Sequence, residues 1–280
     1  NPAPGNSSMV DATAVALSWQ AGELAVQHDV YLGDNFNDVN TATTSSGGVY
    51  KARQSETKYP PGIFDTMPVT RGSTYYWRID EVNGVNVWRG DVWSFTVVST
   101  LNYNPNPAHQ DTFVPVTTDL SWSKGALALL GHIIYLSTDF SAVNSVDPGT
   151  LSGPAYLGST SLPTTTTIAI PGDLLKGKTY YWRADPVVSS PPPTAQKGVV
   201  WQFETIPDIP ITDPTLMGWW TFDEGEGDIV PDWSGHDNHG TIVGGAQRAP
   251  GRIEEAIELN GSSQYVTVPN STSLNLTKDL

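Results

Sequence analysis

The chain has 280 residues, with 26 glycines, 22 prolines, 10% aromatic residues, no cysteine and a formal net charge of −15. The lack of cysteine excludes disulfides and thiolate metal centres, and the acidic balance disfavours nucleic acid and anionic membranes as partners. The length is large for one hydrophobic core, and the composition is that of a folded, turn-rich β protein rather than a disordered one.

The opening NPAPGNSS is polar and has no signal-peptide character. Short apolar runs then follow one another between clusters of Gly, Pro, Asn and Asp. They are LSW (Leu17–Trp19), HDVYLG (His28–Gly33), TYYWRIDEVN (Thr74–Asn83) and VWSF (Val92–Phe95). The same landmarks return in the same order as LSW (Leu120–Trp122), HIIYLS (His132–Ser137), TYYWRADPVV (Thr179–Val188) and VWQF (Val200–Phe203). Self-similarity at a fixed spacing marks a tandem repeat, here with units of about a hundred residues. The second copy carries SSPPPTAQKG where the first has GVNVWRG, and loops absorb such insertions while strands do not.

Within the TYYWR strings, strand periodicity puts Tyr75, Trp77 and Ile79 on one face and Tyr76, Arg78 and Asp80 on the other. The second copy repeats this with Tyr180, Trp182 and Ala184 against Tyr181, Arg183 and Asp185. The first set is expected to fill a core. The second is expected to form cross-strand pairs on a solvated face, with a binding surface as the alternative. Neither unit shows an amphipathic helical stretch of useful length. The longest apolar run, Gly125–Leu136, is interrupted by His132 and falls short of the roughly twenty residues that span a bilayer.

Many short strands without helices indicate antiparallel β-sandwiches. The order of the landmarks resembles the fibronectin type III and related immunoglobulin-like folds. That resemblance implies core tryptophans at Trp19 and Trp122. It also implies tyrosine corners at Tyr75 and Tyr180, whose hydroxyls would bond to nearby backbone. The expected domains are residues 1–100 and 101–206.

After these the composition changes. Residues 207–215 belong to a Pro-rich stretch that reads as a stiff linker. Residues 216–280 carry turns at DEGEGD, DWSGHDNHG and LNGSSQ and alternation in QYVTV. The WTFDE string, the loop residues Asp232, Ser234, Gly235, Asn238 and Gly240, and the Leu259–Val266 strand together resemble the start of a laminin-G-like, concanavalin-A-like jelly roll. The fold class expected is therefore all-β, two tandem sandwiches followed by an incomplete jelly roll. A chain ending at Leu280 is expected to be a fragment, a processed product or one that borrows strands from a neighbour, because unpaired strand edges recruit partners.

Asp223, Glu224, Glu226 and Asp228 cluster near Asp232 and Asp237. Carboxylates in a Gly-rich turn suit the hard oxygen coordination of calcium, and the resemblance to laminin-G-like domains adds to that expectation, with Asp223 and Asp237 as the ligands. The alternative is a plain acidic turn. His236 and His239 lie in a loop without a third ligand, which favours a turn over zinc. Triplets of the N-x-S/T type mark Asn6, Asn260, Asn270 and Asn275 as glycosylation candidates. No nucleophile elbow, phosphate loop or dinucleotide fingerprint is present.

The sequence thus points to a non-enzymatic extracellular or cell-surface protein, as in large bacterial extracellular proteins. It would serve adhesion or a structural role in a surface layer, matrix or fibre. Its partners would be copies of itself, other surface or matrix proteins, or glycans. The alternative is the accessory carbohydrate-binding arm of a secreted carbohydrate-active enzyme.

Overall fold

The computed structural model describes residues 2–62, 66–189, 194–224, 227–252 and 254–275. The first sandwich comprises β1 (Ser8–Val10), β2 (Ala14–Val15), β3 (Leu17–Ser18), β4 (Gln27–Gly33), α1 (Phe36–Thr41), β5 (Tyr50–Gln54), β6 (Lys58–Tyr59), β7 (Met67–Pro68), β8 (Thr74–Asn83), β9 (Asn86–Trp88) and β10 (Val92–Val97). Its main sheet runs in the order β1-β10-β8-β4-β5, with β9 paired to β8, while β2 pairs with β7 and β3 with β6.

The second sandwich repeats this plan. It comprises β11 (Tyr103–Asn106), β12 (Asp111–Val114), β13 (Leu120–Ser123), β14 (Gly131–Ser137), α2 (Phe140–Asn144), β15 (Tyr156–Thr160), β16 (Thr167–Ile168), β17 (Thr179–Ser189), β18 (Thr194–Ala195) and β19 (Trp201–Thr205). The main sheet is β12-β19-β17-β14-β15, and a three-stranded sheet β11-β13-β16 accompanies it. The architecture is antiparallel except at one edge of each main sheet, where β1 runs parallel to β10 and β12 parallel to β19.

The cores follow the strand alternation. In the first sandwich Leu17, Trp19, Val30, Leu32, Trp77, Ile79, Phe95 and Val97 are buried together. In the second, Leu120, Trp122, Ile134, Trp182, Ala184, Trp201 and Phe203 take the same places. Trp77 and Trp93 meet across neighbouring strands with ring centroids 4.7 Å apart, and Trp182 and Trp201 do so at 4.7 Å. Such aromatic pairs stabilise beyond their area burial. Both tyrosine corners are formed. The Tyr75 hydroxyl accepts the Thr70 N–H at 3.0 Å, and the Tyr180 hydroxyl accepts the Leu175 N–H at 2.9 Å.

The only helices in the described residues of the two sandwiches are the short α1 and α2. They are short because each is a single lid turn between two strands, too brief to show amphipathic periodicity. Asn35 and Asp139 cap their N-termini by accepting N–H groups of the first turn.

Residues 216–275 supply β20 (Ile229–Val230), β21 (Gly240–Val243), β22 (Gln247–Pro250), β23 (Glu255–Glu258) and β24 (Tyr265–Thr267). β20, β21 and β24 form one sheet, and β22 and β23 a separate ribbon. Their core is Val230, Ile242 and Ala246, packed by Trp220, Phe222, Ile257 and Val266.

The chain divides into two compact units, Asn1–Leu101 with Gly125–Leu127, and Asn102–Lys124 with Ala128–Leu280. The third segment and the Pro-rich stretch before it thus pack with the second sandwich. Among the described residues no helix is long and apolar enough to cross a membrane.

Candidate functional site

The row of Arg78 and Asp80 was expected on a solvated face, and the structure corrects this in both copies. Arg78 is 1% exposed and Asp80 5%; Arg183 and Asp185 are both 0% exposed. The lid helices account for the burial. Arg78 donates to the carbonyls of Val39 (2.6 Å), Asn40 (2.8 Å) and Ala42 (2.8 Å), at the C-terminal end of α1. Arg183 donates to Val143 (2.8 Å) and Val146 (2.9 Å), at the end of α2. A helix leaves its last carbonyls unpaired and partly negative, so a guanidinium is well suited to meet them.

Two further contacts complete each device. Arg78 Cζ lies 4.2 Å from the Tyr31 ring centroid, and Arg183 Cζ 4.7 Å from that of Tyr135. The aspartate two residues on pairs with the same arginine, at 2.8 Å in both copies. Its carboxylate also accepts a glycine N–H, Gly90 for Asp80 at 3.1 Å and Gly198 for Asp185 at 2.7 Å. Burial raises the Asp185 carboxyl above its ordinary range, against the opposing pull of the Gly198 N–H and Arg183. These groups are consumed by the architecture and face no solvent from which a ligand would come.

The two equivalent histidines are wired differently. His28 Nδ1 lies 2.7 Å from Glu81 Oε2. His132 Nδ1 instead meets two donors, Asn102 Nδ2 at 3.0 Å and Trp122 Nε1 at 3.3 Å. Its proton therefore sits on Nε2, which donates to the Pro163 carbonyl at 3.1 Å. Burial holds its pKa below the usual imidazole value.

In the third segment the organising group is Asp232. It accepts the N–H groups of Trp219 (2.9 Å), Ser234 (2.9 Å) and Asn238 (3.1 Å). Burial alone would raise its carboxyl, but these bonds and the Ser234 hydroxyl hold it below the ordinary value. Asn238 in turn donates to the Met217 carbonyl and to Ser273, and binds the Ser271 hydroxyl. Gly235 sits at φ +87°, where an added Cβ would come within 2.7 Å of the Ile209 carbonyl. The Pro-rich stretch is therefore docked against this loop. Lys176 reaches it from the second sandwich, and Phe113 stacks edgewise on Trp233 at 6.2 Å.

The expected calcium ligands have other partners. Asp223 Oδ1 accepts the Glu255 N–H at 2.9 Å. Both Asp237 oxygens accept from the Lys176 ammonium, at 2.6 and 2.8 Å, and His239 Nε2 stands 3.6 Å away. Glu224 pairs with Arg248 at 2.8 Å in a nearly buried ion pair, Asp228 lies exposed before β20, and Glu226 lies outside the described residues. His239 Nδ1 accepts the Asp232 N–H at 3.0 Å. Among the described residues no three His, Asp or Glu side chains converge as a metal-binding group. Asn6, Asn260, Asn270 and Asn275 are all exposed. Asn6 Oδ1 accepts the Ser94 N–H, and Asn260 Oδ1 organises its own turn by accepting from Ser262, Ser263 and Gln264.

One open cleft of about 660 Å³ lies on the first sandwich, lined by Asn6, Phe36, Asn40, Arg89, Asp91 and Val92 among others. Arg89 donates to the Asn40 carbonyl and, at 2.6 Å, to its side-chain oxygen. No sequence motif links these residues. They come together only when α1 folds beside the start of β10.

No family model matches the chain, and no curated protein matches it. Among solved structures, a two-domain fibronectin type III segment of chicken tenascin aligns over 73% of this chain and 99% of its own, with 11% identity and a TM-score of 0.27. The FN1–FN3 domains of chicken CNTN1 align over 73% of this chain and 66% of theirs, with 8% identity and a TM-score of 0.26. The sandwich assignment rests on the chain's own sheets.

Proposed function

We propose that the chain is a non-enzymatic structural or adhesion protein of the cell surface or extracellular space. Its sandwiches act as spacers, and residues 216–280 form the beginning of a laminin-G-like recognition module. The observation that carries this reading is the fate of the buried ionisable groups. Arg78, Asp80, Arg183, Asp185, His132 and Asp232 are each held by backbone or by one another in an architectural role. All six are buried, away from the substrate contact that acid–base catalysis requires. The exposed Asn6, Asn260, Asn270 and Asn275 suit N-linked modification. Calcium at Asp223 and Asp237 is left out of the proposal, because both carboxylates already have donors.

Surface labelling of intact source cells with an impermeant amine reagent, followed by mass spectrometry of the labelled chain and its glycopeptides, tests the reading. Labelling is expected; a chain reached only after lysis would refute it.

A second reading, the accessory carbohydrate-binding arm of a secreted enzyme, is favoured by the cleft at Phe36 and Asp91. Carboxamides, a guanidinium, a carboxylate and a half-exposed phenyl ring suit a neutral polyhydroxylated ligand. A catalytic domain encoded in the same reading frame would favour that alternative.

A further inference from the structure

The frame of the cleft on the first sandwich recurs on the second. Phe36 meets the Tyr76 ring with centroids 5.9 Å apart, and Phe140 meets the Tyr181 ring at 5.5 Å. Arg89 Nη2 donates to Asn40 Oδ1 at 2.6 Å, and Lys197 Nζ donates to Asn144 Oδ1 at 2.9 Å. After the shared glycine, Gly90 or Gly198, the copies diverge: Asp91 follows in the first and Val199 in the second. Asn6, which accepts the Ser94 N–H, is likewise replaced by His109, which accepts the Gln202 N–H. The frame is thus architectural, and it does not require the Asp91 carboxylate.

The hydrogen bonds already made fix what the cleft has left to offer. Arg89 holds the side-chain oxygen of Asn40, and the Ser94 N–H holds that of Asn6. Each carboxamide therefore keeps its NH2 group as a free donor. The Asp91 side chain is exposed, and among the described residues its carboxylate has neither an ion pair nor a hydrogen-bond donor. Arg89, two residues away, does not neutralise it, because its guanidinium is held at Asn40. Phe36 keeps 46% of its surface exposed. These groups surround a space of about 660 Å³.

A sugar ring matches this set. Its hydroxyls both donate and accept, so a carboxylate can take two neighbouring hydroxyl protons while the amides donate to hydroxyl oxygens. Its C–H face is apolar and packs on an aromatic ring. The volume lies in the range of sites that take a ligand of several rings. An anionic ligand would meet the Asp91 carboxylate and a chain of net charge −15. A simple cation would use the one carboxylate and neither amide donor.

We infer that the first sandwich is itself a glycan-recognition module: the cleft at Phe36, Asn40 and Asp91 binds a segment of neutral polysaccharide, and the second sandwich, with Val199 in place of the carboxylate, does not. This deepens the carbohydrate-binding reading and rests on it for its biological meaning. Binding is a property of the purified chain and needs no catalytic domain in the reading frame, so either can fail while the other stands. N-linked modification of Asn6 uses the same Nδ2 atom and would close the site.

Affinity electrophoresis of the full chain tests the site. The chain is made in a bacterial host without N-glycosylation, which keeps Asn6 free. Separate gels contain soluble starch, β-glucan, xylan or galactomannan, with polygalacturonate as the acidic arm. At least one neutral polysaccharide is expected to retard the chain. Asp91→Asn and Phe36→Leu are each expected to weaken that binding by about tenfold, the loss typical of a charged hydrogen bond or an aromatic contact. Both positions are exposed, so the melting temperature should stay unchanged. Val199→Ala, at the matching place on the second sandwich, should leave the binding as it was. No retardation by any of these neutral polysaccharides, retardation by polygalacturonate alone, or equal binding by the wild type and Asp91→Asn would overturn the inference.

Discussion

Arg183 Nε lies 2.8 Å from Asp185 Oδ1 with neither side chain exposed, and the guanidinium of the same arginine closes the end of α2. Removing the arginine alone leaves a buried carboxylate and two unpaired carbonyls. Arg183→Met is expected to destabilise the second unit by about 3–5 kcal/mol. The double variant Arg183→Met with Asp185→Asn should recover part of that loss, since the uncompensated charge goes with it. Urea denaturation of the four members of this cycle gives the coupling; additive losses would show that the pair does not act as a unit.

Gly90 and Gly198 lie under β8 and β17 in equivalent places. A Cβ at Gly90 would stand 2.1 Å from the Ile79 carbonyl oxygen, and one at Gly198 2.6 Å from that of Ala184. Both obstacles are backbone at the centre of a sheet. Alanine at either position is expected to cost about 1–3 kcal/mol through forced displacement, whereas alanine at the open Gly47 should be close to neutral. Thermal melts of the three single variants give the comparison.

Trp77 and Trp182 are completely buried. Replacing either with alanine should cost about 3–5 kcal/mol, and the loss should fall on the unit that contains it. Two unfolding transitions followed by calorimetry would separate the effects; a shift of both by the same amount would contradict the division into units.

His132 gives the second unit a defined response to mild acid. Its folded pKa lies below the unfolded value of about 6.5. The unfolded chain therefore binds the proton more readily. Stability is full above about pH 6.5 and declines as pH falls below it, by up to about 1.4 kcal/mol per pH unit for one proton. His132→Gln should reduce this slope between pH 6.5 and 5, leaving the part due to His239, whose pKa burial also holds below the ordinary value. Asp232, with its folded pKa depressed, adds a second loss as pH falls below the usual carboxylate value. Asp185, with its folded pKa raised, works the other way and at higher pH: it adds stability as pH falls through its raised folded value towards the ordinary carboxylate value.

Adding millimolar calcium in place of chelator is expected to leave the melting temperature unchanged, because Lys176 already holds Asp237 and the Glu255 N–H holds Asp223. A rise in melting temperature would show that a cation displaces the lysine and stabilises the native state.

Much of the fold could be read from the residues. Trp19, Trp122, Trp77 and Trp182 repeat with strand alternation, and burial of one face follows from period 2. The second face was misread because polarity is a poor guide where a short lid can cover it. The alternating row Tyr-x-Arg-x-Asp looks solvated until a helix end supplies carbonyls for the arginine. The clues were present but local: an N-capping Asn35 or Asp139, a Phe and a Val three apart at Phe36 and Val39, and a glycine at the start of the last strand. None of these gives a periodic signal. In the third segment, the turn at Asp232 was visible as a loop. Its role as a hub depends on Met217, Trp219 and Ser273, which are brought to it only by folding.

Arg78 fastens α1 at its C-terminal end, and β5 is fastened separately by its ladder to β4, so each element keeps an anchor of its own when the loop between them is lengthened at its tip. Loop length adds to the closure entropy only slowly. Gly47 and Gly48 have open space around them, so a peptide tag or a small folded domain inserted there should be displayed without disturbing the sheet. The corresponding bend after α2, held by Arg183, offers a second such display position on the other sandwich.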